Sequence, residues 1–145
     1  MDLETLYPLV TEAIRRAEVF DEIGAPGVLH AYLDVSLLEE SIAKLLPQSD
    51  VEGAIARRGA VRAAISAREY RRAADLVSRF TAEGGMDDVA RAALTSLGEE
   101  ASSFVAQEER TMTARYPRAS AQYGIAEVRR VAREYYEQGS PLPIY

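Results

Sequence analysis

An all-α fold is predicted by three features of this 145-residue sequence. Alanine, leucine, glutamate and arginine, all strong helix formers, dominate throughout. Apolar residues recur at three- and four-residue spacing, and no segment alternates apolar and polar long enough for a strand. Glycine and proline cluster at Gly24-Ala25-Pro26-Gly27, Pro47, Gly84-Gly85, Tyr116-Pro117 and Gly139 with Pro141, dividing the chain into about six segments. The expected architecture is a compact antiparallel helical bundle or stacked helical hairpins. Residues 1–139 are read as a single helical domain and residues 140–145 as an extended C-terminal tail.

The first helix is expected from near Thr5 to Glu22, with Pro8 in its opening turn and a seam of Leu6, Val10, Ala13, Ala17 and Phe20. A second spans about Val28 to Leu46 and presents Ala31, Val35, Leu38, Ile42 and Leu45. Ser49-x-x-Glu52 reads as a capping box opening a third helix that reaches Ile65. Ser66-x-x-Glu69 reads as another, where the apolar phase resets to Tyr70, Ala73, Val77 and Phe80 in a fourth helix. The fifth, about Met86 to Ala114, carries Ala90, Leu94, Leu97, Ala101 and Phe104 in heptad spacing, with Gly98 as a place to kink. Pro117 suits the first turn of a sixth helix. That helix carries Ala121, Ile125, Val128, Ala132 and Tyr135 and stops at Gly139. A tetratricopeptide pattern is not met, and no fixed repeat period emerges.

Composition excludes several chemistries. The chain has no cysteine, so it has no disulfide, thiolate metal site or cysteine nucleophile. The start, MDLETLYPLV, lacks the basic and apolar regions of a secretory signal. Asp34 interrupts the longest apolar stretch, VLHAYLDVSLL, so no membrane span is expected. A soluble cytoplasmic protein is the default expectation. The single histidine, His30, cannot build a di-iron bundle site, which needs two Glu-x-x-His pairs. It lies one turn from Asp34, a two-ligand arrangement read as structural. No metal, cofactor or catalytic residue is assigned. Neither a P-loop nor a dinucleotide fingerprint occurs, and Pro26 lacks the amide donor that a phosphate cradle needs. The acidic pairs, such as Glu39-Glu40 and Glu108-Glu109, read as solvated faces. Glu108 alone falls on an apolar seam and is the acid to inspect for burial.

The charge is segregated. Formal net charge is -6, yet residues 55–80 hold seven basic and two acidic side chains, while residues 1–54 hold three and eleven. Arg57, Arg58, Arg62, Arg68, Arg71, Arg72 and Arg79 therefore form a candidate interaction surface. Asp75, spaced to pair with Arg71 and Arg79, weakens a phosphate-binding reading, and the global charge argues against nucleic acid. The better expectation is that these arginines complement acidic helices of this chain or of a partner. The tail residues Pro141, Leu142, Pro143, Ile144 and Tyr145 are candidates for docking, on a partner groove or back onto the bundle. Tyr116, Tyr123, Tyr135 and Tyr136 crowd the last third, where tyrosines suit a core margin, an interface or a pocket.

The functional expectation is a non-enzymatic helical module that binds another protein or itself. The alternative is a small-molecule-binding bundle with a pocket lined by tyrosine and arginine. Association with nucleic acid through Arg57–Arg79 ranks below both.

Overall fold

The structure, a computed structural model, describes residues 1–137, and these contain seven helices and no strand. They are α1 (Leu3–Ile23), α2 (Val28–Leu45), α3 (Val51–Ser66), α4 (Tyr70–Ala82), α5 (Asp88–Arg115), α6 (Pro117–Tyr123) and α7 (Ile125–Glu137). The all-α expectation holds. The tail expected at residues 140–145 lies outside the described residues. Contacts group the chain into two compact units, residues 1–102 and residues 103–145. Each is taken in turn.

In the first unit, α1 packs on α2, α2 on α3 and α3 on α4. Alanines at 56, 60, 63 and 64 give α3 a small-residue surface, and all four are buried. The larger side chains come from its neighbours: Leu6 and Val10 of α1, Ile42 of α2, Leu76 and Phe80 of α4, and Leu94 of α5. Small residues on one helix shorten the interaxial distance and let long ones interlock from the other. Burying each of the large aliphatic or aromatic side chains contributes about 1.5–3 kcal/mol. Gly53 of α3 shows how close the approach is, because a Cβ there would lie 2.2 Å from the Pro47 carbonyl oxygen. On α5, which runs through Gly98 without a break, a Cβ at Gly98 would lie 2.9 Å from a Val77 methyl of α4, so this glycine allows the two helices to approach.

Several helix ends differ from the sequence reading. Helix α1 starts earlier because Asp2, not a later residue, caps it, accepting from the Thr5 amide at 2.9 Å. Pro8 consequently lies past the first turn. Helix α3 is capped by Asp50, which accepts from the Glu52 amide at 2.9 Å, in place of the expected Ser49. A carboxylate there also suits the positive end of the helix. Ser66 does not open α4; it is the last residue of α3. The break is a Schellman turn, with the Glu69 amide donating to the Ala64 carbonyl and the Arg68 amide to that of Ile65, both at 2.9 Å. Arg68 takes the left-handed position, φ 59°, that glycine usually fills.

The second unit comprises the end of α5 with α6 and α7, and α6 packs on α7. The single sixth helix expected from Pro117 onward is two helices. Gly124, with φ 86° and ψ 156°, occupies a region of backbone space that side chains forbid, and it separates α6 from α7.

Candidate protein-interaction site

The arginines of residues 55–80 divide between two internal networks and the surface. Arg57 is buried. Its guanidinium donates to the carbonyls of Ala43 and Leu46 at 3.0 and 2.9 Å, at the C-terminal end of α2, where carbonyls run short of helical donors; Ala43 also accepts from the Leu46 amide. Arg57 also donates to Gly53 and pairs with Glu83 at 2.9 Å, and its cationic carbon sits 5.6 Å above the Phe80 ring. Gln48 donates to the Phe80 carbonyl and, at 2.9 Å, to Glu83, closing the end of α4 in the same cluster. One arginine thus ties the C-terminal ends of two helices together.

The second network centres on Glu40 of α2, only 8% exposed. Arg72 and Arg79 of α4 donate to its two oxygens at 2.7 and 2.9 Å, and Lys44 stands 3.8 Å away. Ser36, one turn back on α2, accepts from Arg72 at 3.1 Å and donates to the Ala60 carbonyl of α3 at 2.7 Å. Burial pushes the Glu40 carboxyl up, but the hydrogen bonds from Arg72 and Arg79 outweigh it and hold the group below its usual range. Arg79 therefore reaches across to Glu40, not along its own helix to Asp75. Arg58 is half-buried, Arg62 and Arg71 are exposed, and Arg68 is taken up in the turn. The structure does not bring all seven arginines onto one face.

His30 is exposed, and among the described residues no group of three His, Asp or Glu side chains is arranged for a metal. No helix among them is long and apolar enough to cross a membrane.

The second unit holds the feature that the sequence reading missed. Helix α7 buries two arginines, Arg129 and Arg133, which are 9% and 8% exposed. Arg129 pairs with Glu108 of α5 at 2.7 Å, and Glu108 is itself mostly buried. Of the apolar residues of α7, Ile125, Val128 and Ala132 are half-buried, whereas two are turned to the surface. Val131 and Tyr135 are each 50% exposed and Tyr123 of α6 is 64% exposed. With Val128 and Ala132 they line a groove of about 560 Å³ between α6 and α7, together with Tyr116, Ala119 and Glu127. Glu127 is its one charged lining residue among those described, and Arg130 neutralises it through hydrogen bonds of 2.6 and 3.1 Å. No family model, curated protein or solved structure matches this chain. What the molecule can do is therefore argued from its own surfaces.

Scattered apolar residues on a surface are ordinary; a contiguous apolar groove beside buried charge is not. The spacing 121, 125, 128, 132, 135 did mark one helical face in the sequence, without Val131. The direction of that face was not legible, because an apolar stripe is normally assigned to the core. The signal that would have reversed it was Arg129 and Arg133, one turn apart, matched to the seam position of Glu108.

A smaller groove of about 400 Å³ lies between α1 and α2, with Leu9, Leu37 and Leu38 along it and Glu12, Arg16 and Asp34 among its walls. Its mixed charges make it less suited to an apolar ligand.

Proposed function

We propose that this protein is a non-enzymatic helical module that binds another polypeptide, and that the groove between α6 and α7 receives it. The observation that carries this reading is the outward placement of Val131 and Tyr135 on a helix whose Arg129 and Arg133 are buried. Three tyrosines offer broad apolar faces at little cost in side-chain entropy, and their hydroxyls can bond a partner backbone. Because Glu127 is already neutralised, the occupant is an uncharged segment bearing two or three aliphatic or aromatic side chains. Such a segment docks as other grooves take peptides, through spaced apolar anchors. Recruitment of charged ligands through the arginine segment is disfavoured, since Arg57, Arg72 and Arg79 are engaged by Glu83 and Glu40.

A second reading, a small-molecule site, is favoured by one observation: about 560 Å³ falls in the range of ligand pockets. Photo-crosslinking separates the two. A benzophenone side chain at position 123, used in cells of the native host, is expected to give a discrete adduct with one polypeptide. Val131→Glu is expected to abolish that adduct. Adducts with small molecules only, or polypeptide adducts unaffected by Val131→Glu, contradict the interaction reading at this groove.

A further inference from the structure

Glu39 of α2 stands beside Glu40 in sequence but in a different environment. Its carboxylate lies flat against Gly59 of α3: a Cβ at position 59 would be 3.0 Å from both Cδ and Oε1 of Glu39 and 3.4 Å from Oε2. The absence of a side chain at Gly59 makes the seat. Glu39 is half-buried and makes no hydrogen bond or ion pair among the described residues. The cations near it are not paired with it among the described residues. From α1 comes Tyr7, whose hydroxyl donates to Glu52 of α3 at 2.7 Å, and Asp50 at the start of α3 adds another carboxylate near that phenol. Arg58 and Arg62, which flank Gly59 along α3, form no ion pair with Glu39 among the described residues. From α4, Arg72 and Arg79 are engaged by Glu40.

We propose that the Glu39 seat on Gly59 is a pH-sensitive contact between α2 and α3, closed when the carboxyl carries its proton and loosened when it ionises. An ionised carboxylate wedged on a helix backbone with no donor must recover water, either by swinging off Gly59 or by letting the helices part. Burial raises the group to about 7, which puts the change within the neutral range. The neutral form meets no such demand.

The wild-type carboxyl can be followed directly by carbon-13 NMR with labelled glutamate, assigned through Glu39→Gln. The expected result is a midpoint near neutrality at this one residue. Hydrogen exchange supplies the second readout. After correction for intrinsic rates, protection of the α2 and α3 amides in the wild type is expected to fall roughly tenfold or more between pH 5.5 and 8. Protection in the Gln variant is expected to stay level. A Glu39 midpoint below 5, or the same pH dependence in wild type and Gln variant, overturns the proposal. If the variant does not fold, selective labelling and the wild-type titration still decide.

Discussion

Glu40 and Arg57 are the side chains on which the first unit depends most. Each is buried with its charge matched, so removing Glu40 takes the carboxylate from the mostly buried Arg72, and removing Arg57 takes a donor from the Ala43 and Leu46 carbonyls. Loss of one member of a buried pair costs about 3–5 kcal/mol. Glu40→Ala is therefore expected to lower stability toward the lower end of that range in a urea melt, since Arg79 is 55% exposed, and by more than Asp75→Ala at an exposed position. The sign with pH follows from its direction. The folded carboxyl sits below the ordinary 4.5, so its stabilisation is complete above that value and lost as pH falls through the lowered folded value. Glu39 acts oppositely. Its folded value of about 7 lies above 4.5, so the fold loses stability as pH rises from about 4.5 to 7 and no more beyond. The combined contribution of these two residues is therefore greatest in mildly acidic solution. Glu39→Gln should flatten only the upper side of that profile, by about 1–2 kcal/mol once partial exposure is allowed for.

At the scale of elements, glycine and capping residues decide where helices stop and how near they come. The sequence reading located nearly every helix because alanine-rich segments, periodic apolar positions and glycine-proline breaks carry that information locally. It misplaced two caps. Ser49 and Asp50 are both competent, and the choice depends on how the Pro47 turn delivers the chain. Ser66-x-x-Glu69 matched the capping-box pattern, but a turn closed by Arg68 in a left-handed conformation took its place. Gly124 was passed over since a lone glycine within a periodic stretch is compatible with a continuous helix. Its φ of 86° with ψ of 156° is open to glycine alone. Gly124→Ala is expected to cost about 1–3 kcal/mol and to perturb the α6–α7 groove, seen as shifted amide resonances confined to residues 103–137. Shifts no larger than those of an exposed Ala126→Ser control would show that Gly124 does not set this junction.

Across the whole molecule, charge segregation and apolar exposure answer different questions. The alternation of acidic and basic segments looked functional in the sequence, and part of it is internal neutralisation: arginines from residues 55–80 pair with Glu40 and Glu83 from the acidic segments on either side. This pairing was anticipated, though its depth was not, since exposed pairs would have contributed only about 0–1 kcal/mol each. The α6–α7 groove was anticipated only in its tyrosines, which were read as suited to a core margin, an interface or a pocket. Periodicity gives a helix its apolar face but does not say whether that face meets the core or a partner, and only Arg129 turned inward against Glu108 resolves the direction.

Selection of random peptides displayed on phage against the immobilised chain lets the groove and the arginine segment compete. Enrichment is expected for uncharged peptides with two or three spaced aliphatic or aromatic residues, whose binding is lost in Val131→Glu and kept in Arg62→Glu. Enrichment of acidic peptides that lose binding in Arg62→Glu and keep it in Val131→Glu would contradict the proposed role of the groove.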